Sequence, residues 1–350
     1  MKKLLLSVFA IAAMASCMQD EVISQDQQAI DFGTPFVDKA TKAIDYSYSA
    51  TNLLKEIYVY GTVKGTATNP VSIFEHEKVW TEAQDGDYTK AWQCNKTQYW
   101  IPGADYKFVA INGMGDTKTN AIGVVDGLPQ TLNFSSIGQT DLVAGYVETT
   151  AATDTSVKNP DVSFNMSHLL SKVKFTVINE TNKGETATSD FYYKVTEIKL
   201  LNAATSGTCT LAYTSGNPVA GTWVLGTTGV SFGDATNGTS NVVAIGDRAE
   251  VTSHHELLVV PASYPNEVGK KLKVSFKIGL FTTDKVGNEV AINNLAEKTP
   301  EVQANLVAGH AYNFIIKVSV GQPIQFTVAS NPTWAVDADQ IVYQDTVVIQ

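Results

Sequence analysis

The sequence predicts an all-β protein built from β-sandwich or Greek-key modules, and three observations lead to this prediction. Alternation of apolar and polar residues with a period of two dominates the chain after residue 50. Clusters of glycine, asparagine, threonine and aspartate separate the alternating runs, and long helical periodicity is missing. Many short strands divided by turns are typical of sandwiches and Greek-key barrels.

The alternating runs are rich in β-branched and aromatic residues, so each predicts a strand with one face on a core and one face in water. The clearest runs cover residues 55–60, 106–110, 172–177, 272–278, 312–318 and 324–328. Residues 112–116 and 233–238 carry the glycine and asparagine chemistry of turns. At most, residues 293–298 form a short helical turn.

The N terminus predicts export. Lys2 and Lys3 precede an apolar stretch over residues 4–15, which is too short for a bilayer span of about 20 residues but suits a signal peptide. The residues before Cys17, Met14-Ala15-Ser16, resemble the lipobox of bacterial lipoproteins, where the cysteine thiol takes a diacylglyceryl group. We therefore expect residues 1–16 to be a lipoprotein signal peptide and Cys17 to carry the outer-membrane lipid anchor. The alternative is an ordinary signal peptide with an incidental cysteine.

Length and composition predict two domains. Hydrophobic residues make up 44% of the chain and charged residues 17%, which is ample material for a core. The length suggests two domains, with one large β-domain as the alternative. The best linker covers residues 149–156 and ends at Asn159-Pro160. This places an N-terminal sandwich at 43–157 and a C-terminal sandwich at 158–350.

Charge and motifs argue against nucleic acid, cofactors and catalysis. The net charge is -10 and the pI about 5.0, so a basic footprint for nucleic acid is missing. His254 and His255 are adjacent, so on a strand they would point to opposite faces and could not share a metal. Nucleophile-elbow, phosphate-loop and dinucleotide motifs are missing. We expect no enzyme, no cofactor and no metal site.

Two further residue types need an interpretation. His168 alternates with apolar residues, which favours a core or hydrogen-bonding histidine over a catalytic one, since a general base needs a positioned partner. Cys94 and Cys209 could pair in an oxidising compartment. Two lone cysteines in so long a chain are more often independent, buried, small hydrophobic residues.

Several segments together resemble the fimbrillin (type V pilus subunit) family of Bacteroidetes. In chain order they are residues 29–33 and 36–43, 99–103 and 106–110, 141–144, 164 and 168–173, and finally 312–314, 324–328 and Trp334. Their order across nearly the whole chain carries the resemblance.

The resemblance implies two transthyretin-like β-sandwich domains and export as a lipoprotein. It also implies that a lipidated leader, residues 17–42, is removed at the cell surface by a trypsin-like or arginine-specific protease. Subunits of this family polymerise when a strand from a neighbour fills the groove that the leader strand had occupied. The family usually has arginine at the cleavage position, whereas this chain has Lys42 before Ala43. Either the protease accepts lysine, or the subunit stays unprocessed like some anchor subunits.

The leader has the pattern of a removable strand. Ile30, Phe32, Thr34 and Phe36 fall on one face at period two. Pro35 lies within the run, and proline is confined to sheet edges because it cannot donate to a ladder. Departure of the strand would leave an apolar, unpaired groove, which is the condition for strand addition.

The C-terminal tail, residues 339–350, has a similar pattern. Its apolar face consists of Ile341, Tyr343, Val347 and Ile349 and is interrupted by Asp345. The tail is either the donor strand for the next subunit or an ordinary strand of its own domain. The sequence leaves both interpretations open.

The expected function is therefore that of a structural and adhesive fimbrial subunit at the cell surface, anchored in the outer membrane before processing. Its partners would be other copies of itself or related pilus subunits, with an adhesion ligand that the sequence does not identify. The alternative is a surface glycan-binding lipoprotein of a polysaccharide-utilisation system. Such a protein would present exposed tryptophan and tyrosine on one platform and would not need a detachable leader.

Overall fold

The chain folds into β-sheets. A computed structural model describes residues 28–37, 54–65, 69–82, 91–115, 121–136, 140–179, 191–226, 232–233, 241–244, 251–252, 257–319, 322–331 and 342–349. Within these ranges the regular structure is strand, with no α-helix. The all-β prediction is confirmed.

The strands are numbered in chain order. The first are β1 (Phe36–Val37), β2 (Glu56–Lys64), β3 (Val71–Thr81), β4 (Trp92–Cys94), β5 (Asp105–Asn112), β6 (Ile122–Val125), β7 (Leu128–Ser135), β8 (Val143–Thr150) and β9 (Asn165–His168). Next come β10 (Ser171–Asn179), β11 (Phe191–Leu200), β12 (Ser206–Ala212), β13 (Ala220–Leu225), β14 (Phe232–Gly233), β15 (Asn241–Ala244), β16 (Val251–Thr252) and β17 (Leu257–Val259). The last are β18 (Ala262–Tyr264), β19 (Leu272–Thr283), β20 (Glu289–Lys298), β21 (Glu301–Val302), β22 (Ala304–Leu306), β23 (Ala311–Val318), β24 (Ile324–Asn331) and β25 (Val342–Ile349).

These strands form four larger sheets and one strand pair. The leader sheet has the order β1-β9-β8-β5-β2-β3-β4, and the bridging sheet has the order β13-β12-β7-β6. The tail sheet runs β16-β10-β23-β24-β25, with β17 also on β10. The fourth sheet runs β14-β11-β19-β20, with β15 on β11 and β21 on β19, while β18 pairs with β22. Pairing is antiparallel except between β1 and β9 and between β10 and β23.

The centre of the leader sheet, in β2 and the second half of β5, is buried on both faces. On β5, Phe108 and Ala110 belong to one apolar cluster, whereas Val109 and Ile111 belong to another. Strand β2 is buried at residues 57–63 without interruption. The predicted alternation of a wet and a dry face is therefore wrong for β2, because its sheet is a middle layer between two cores.

We call the first of these clusters the leader core. It contains Ile30, Phe32, Ile57, Val59, Val63, Phe74, Val79, Trp100, Ala104, Tyr106, Phe108, Ala110, Val143, Ala151, Val162, Phe164 and Met166. The second, the main core, draws buried side chains from β5, β7, β10, β12, β19, β23 and β24. The leader core therefore belongs to the leader sheet and the segments that cover its outer face.

Strand pairing crosses the predicted domain boundary near residue 158. Strand β9 pairs with β8, with His168 opposite Val143. Strand β12 pairs with β7, with Cys209 opposite Leu132. The division into 43–157 and 158–350 stays a prediction, and these two ladders are among the contacts that cross it.

Residues 293–298 form part of β20, so the predicted helical turn is wrong. Strand β20 pairs with β19 along a hairpin. At its tip, Oδ1 of Asp284 accepts hydrogen bonds from the backbone N–H groups of Val286 (2.9 Å) and Asn288 (2.7 Å). Because the tight turn returns the chain onto β19, ladder hydrogen bonds outweigh the local helical preference of these residues.

The described residues contain no helix with the length and apolar character that a bilayer span requires.

Candidate functional site: the leader segment and its groove

The described part of the leader, residues 28–37, is hydrogen-bonded on two sides. The N–H of Ile30 donates to the carbonyl of Gln98 (2.8 Å), and the N–H of Trp100 donates to the carbonyl of Gln28 (2.9 Å). Both bonds belong to an antiparallel bridge between Ala29 and Tyr99. This side holds the start of the leader against the turn before β5.

The other side of the leader pairs in parallel. The N–H of Val162 donates to the carbonyl of Asp31 (2.8 Å), and the N–H of Gly33 donates to the carbonyl of Val162 (3.0 Å). Phe32 and Val162 are bridge partners, and the pairing continues as β1 against β9. Strand β1 ends the leader sheet, so its departure would leave the other ladders of that sheet intact.

Two leader side chains fill the leader core. Ile30 and Phe32 are each 6% exposed. The ring of Phe32 lies 5.5 Å from that of Phe74, and 6.4 Å from those of Phe108 and Phe164, between ring centroids. Each buried side chain of this size contributes about 1.5–3 kcal/mol of transfer free energy. Removing the leader would therefore open an aromatic pocket in the core.

A carboxamide clamp fixes the start of the leader. Oε1 of Gln28 accepts hydrogen bonds from the backbone N–H (2.6 Å) and from Nδ2 (3.2 Å) of Asn159. Nε2 of Gln28 donates to the carbonyl of Asn159 at 2.8 Å. Oδ1 of Asn159 accepts from the N–H of Ala152 at 2.8 Å. Asn159 is buried, so the leader supplies partners to polar groups that water does not reach freely.

A second polar contact follows the aromatic position. Nε1 of Trp92, on β4, donates to Oγ1 of Thr34 at 3.2 Å. Pro35 is buried next to it, and proline needs no ladder partner for an N–H. Along the leader, alternate side chains therefore present a carboxamide that both donates and accepts, an aliphatic group, an aromatic ring and a hydroxyl acceptor.

The remaining predicted site residues lie elsewhere. Cys17, Lys42, Ala43 and Ile341 lie outside the described residues. Phe36 is placed by its backbone, opposite Asn165.

The tail forms β25, which ends the tail sheet and pairs with β24. In its register Tyr343 lies opposite Ala329, Val347 opposite Phe326 and Ile349 opposite Ile324. The structure therefore brings the leader and the tail into different sheets, each at a terminal position.

His168 is buried and paired with a carboxylate. Its Nδ1 lies 2.6 Å from Oδ2 of Asp141, and the histidine is 5% exposed. Asp141 precedes β8 and His168 ends β9, so the contact joins the ends of neighbouring strands. The geometry agrees with a hydrogen-bonding core histidine. Groups of three or more metal-ligating side chains are missing from the described residues.

Cys94 and Cys209 are free thiols. Burial raises the pKa of the Cys209 thiol to about 12. Burial also raises the pKa of Cys94, whose Sγ lies 3.3 Å from the carbonyl of Lys96. The raised pKa values favour the protonated form of both thiols at neutral pH.

Sequence reasoning missed Asn159 and Trp92 as partners of the leader. Both lie far from it along the chain, and a polar residue beside a turn or on a strand is an unremarkable pattern. Gln28 was missed as well, because the period-two pattern emphasises apolar positions. Only the fold brings the three polar side chains to one groove.

Comparisons with known proteins bear on the family and the fold. A family model described as fimbrillin-like matches residues 41–332. A solved structure of a fimbrial protein from Bacteroides vulgatus is similar over 88% of this chain and 99% of that one, with 15% identity and a TM-score of 0.53. A fimbrial assembly protein from Parabacteroides distasonis is similar over 91% of this chain and 100% of that one, with 12% identity and a TM-score of 0.44. No curated protein matches the chain.

Proposed function

This chain belongs to the fimbrillin-like family and is a fimbrial subunit, and we propose that it assembles by exchanging its leader for a strand of another subunit. The carrying observation is the closure of the leader core by Ile30 and Phe32. These side chains come from the leader segment, whose backbone partners at 98–100 and 162 belong to the rest of the fold. Without the leader, backbone groups and an aromatic pocket lie open side by side, which suits strand addition.

The proposal includes lipidation and processing. The signal peptide, residues 1–16, would direct export, and Cys17 would hold the precursor in the outer membrane. Cleavage between Lys42 and Ala43 would then separate the leader from the chain, so the subunit would leave the anchor when it joins the fimbria. Surface material should begin with Ala43-Ile44-Asp45 by N-terminal sequencing. A labelled fatty acid should enter the wild type and not Cys17→Ala; equal labelling of both would argue against the anchor.

The tail supplies the strand in this proposal. Residues 339–350 carry an apolar face at period two, and β25 is bonded to its own fold along one edge, to β24. A terminal strand can leave without breaking the interior of a sheet. The partner is therefore a second copy of this chain or a related pilus subunit.

The glycan-binding alternative has no supporting observation. Among the described tryptophans, Trp100 is buried and Trp80, Trp92 and Trp223 are half-buried. Trp92 and Trp223 also donate hydrogen bonds within the fold, to Thr34 and Leu169. An exposed tryptophan platform is missing from this part of the chain.

A disulfide that locks the leader tests the exchange. Phe32 and Val162 are bridge partners on neighbouring segments. The distance between the Cα atoms of such partners lies within the range that a disulfide spans. The double variant Phe32→Cys and Val162→Cys would be prepared with Cys94→Ser and Cys209→Ala, as a precursor without residues 1–17. After cleavage by a trypsin-like protease, the oxidised variant should form no ladders on a non-boiled gel, and reduction should restore them.

The matched control carries Val162→Cys alone in the same background. It should form ladders under both redox conditions, because nothing ties the leader to the groove. Equal ladders from the oxidised double variant and the control would contradict strand exchange.

A further inference from the structure

We propose that the tail of a second copy enters the leader groove in one register, defined by four alternate positions. In this register Asp339 replaces Gln28, Ile341 replaces Ile30, Tyr343 replaces Phe32, and Asp345 replaces Thr34. The inference rests on the proposed function, because it specifies how the exchanged strand is recognised. The tail runs in the same direction as the leader, parallel to residues 162–166.

The apolar positions match in kind. Ile30 and Phe32 fill the leader core at alternate positions, and the tail offers isoleucine and tyrosine at the same spacing. A tyrosine ring fits the aromatic pocket but brings a hydroxyl, which needs a partner when buried. Nε1 of Trp100 is buried without a hydrogen-bond partner among the described residues. The Trp100 ring lies 6.1 Å from that of Phe108, which borders Phe32, so an unused donor already lies in this core.

The first polar position matches through its donors. Two N–H groups of Asn159 point at Oε1 of Gln28, whose Nε2 in turn donates to the carbonyl of Asn159, so the groove offers two donors and one acceptor there. Asp339 supplies a carboxylate, and hydrogen bonds to an ionised acceptor are about twice as strong as neutral ones. Aspartate is one methylene shorter than glutamine and has no N–H donor, so one bridging water would accept from these N–H groups and donate to the carbonyl of Asn159.

The second polar position explains why Asp345 interrupts an otherwise apolar face of the tail. At the place of Thr34 it would meet Nε1 of Trp92, which donates to Thr34 while the leader is in place. The interruption is therefore complementary to the groove. Beyond it, Val347 falls at the position of Phe36.

Neighbouring registers place polar groups in the apolar pockets. A shift of two residues puts Asp345 at the place of Phe32, or Asp339 at the place of Ile30. A shift of one residue puts Gln344 or Gln340 into a pocket instead. Burying an unpaired carboxylate or carboxamide is strongly unfavourable. This cost excludes the four registers that are shifted by one or two residues in either direction.

A charge-exchange experiment tests the register in the full processed chain. Asn159→Asp places a carboxylate against Asp339 and should slow ladder formation at least about tenfold, since like charges in contact cost several kcal/mol. Adding Asp339→Asn in the same chain restores an amide and should return the rate to within about threefold of wild type. Asn217→Asp is the matched control: Asn217 is exposed on a turn, donates to Ser215, and should leave the rate unchanged.

Cross-linking reads the register directly. With Val162→Cys in the acceptor, Tyr343→Cys in the donor should form an intersubunit disulfide, because the residue at the place of Phe32 lies opposite Val162. Ile341→Cys and Asp345→Cys, each two residues away from Tyr343 along the tail, should not form this disulfide. Wild-type subunits that form no ladders would overturn the proposed function itself. Ladders with cross-links at 341 or 345, or without rescue by Asp339→Asn, would overturn only the register.

Discussion

Phe32 places one ring in a group of four phenylalanines that closes the leader core, with Phe74, Phe108 and Phe164 around it. It reaches this position from a segment held by backbone hydrogen bonds to residues on both sides. The same side chain therefore stabilises the precursor and occupies the site that assembly needs. A subunit with the leader in place has no vacant groove.

In the unprocessed precursor, Phe32→Ala should lower the free energy of unfolding by about 3–5 kcal/mol, through lost burial and the cavity left behind. Urea unfolding monitored by circular dichroism measures this change in the free energy of unfolding. The control is Asp31→Ala, since Asp31 is exposed and should change stability by less than about 0.5 kcal/mol. An unchanged stability in Phe32→Ala would mean that the leader does not pack as described.

At the residue scale, sequence reasoning found the apolar contacts and missed the polar ones. Ile30 and Phe32 follow from period-two alternation, because burial on one face of a strand is written in the order of residues. The partners Asn159 and Trp92 lie in other segments, and their roles depend on the distance between those segments after folding. His168 was expected to be a core histidine, but its partner Asp141 was not named, for the same reason.

At the scale of elements, β1 and β25 share a position, since each ends a sheet. The leader before β1 is also hydrogen-bonded to residues 98–100. Exchange would therefore break the ladder of β25 with β24 and form backbone hydrogen bonds on both sides of the leader groove, in addition to burying the side chains that enter it. The two differ in pairing, since β1 is parallel to β9 and β25 is antiparallel to β24.

Deletion of residues 339–350 should leave a folded precursor, because β24 keeps its ladder with β23. We expect its melting temperature to stay within about 3 °C of wild type, which at roughly 2 cal/mol/K of unfolding entropy per residue corresponds to about 2 kcal/mol in a chain of this size. The processed truncated protein should not form ladders by itself. Mixed with wild-type subunits it should shorten their ladders, since it accepts a strand and donates none.

The opposite outcome is equally definite. If the tail were an ordinary internal strand, its loss would remove several kcal/mol from a stability of typically about 5–15 kcal/mol, and the protein would melt early or fail to express. Calorimetry and size-exclusion chromatography distinguish the two cases. Ladders from the truncated protein alone would refute donation by the tail.

For the whole molecule, the bridging sheet and the β8–β9 ladder connect the two predicted domains. The bridging sheet takes β6 and β7 from before residue 158 and β12 and β13 from after it. The main core likewise combines Val109 and Leu132 with Phe276 and Phe314. These shared layers link the stability of one part of the chain to that of the other.

The processed chain should therefore unfold in one cooperative transition, with tryptophan fluorescence and circular dichroism giving the same midpoint. A fragment of residues 43–157 should not fold alone, because β7 would lose β12 and β8 would lose β9. A fragment that gives dispersed amide resonances, or two separate calorimetric transitions in the full chain, would favour independent domains.

The sequence alone was sufficient for the all-β class, the six strands predicted from alternation, and the burial of Ile30 and Phe32. These properties are local, since a period of two is carried by consecutive residues. The tertiary structure decided the rest: the burial of β2 on both faces, the strand at 293–298, the ladders across residue 158, and the partners of Gln28 and Thr34. Each of these depends on which segments meet after folding, and contacts between segments far apart along the chain leave no periodic trace in its sequence.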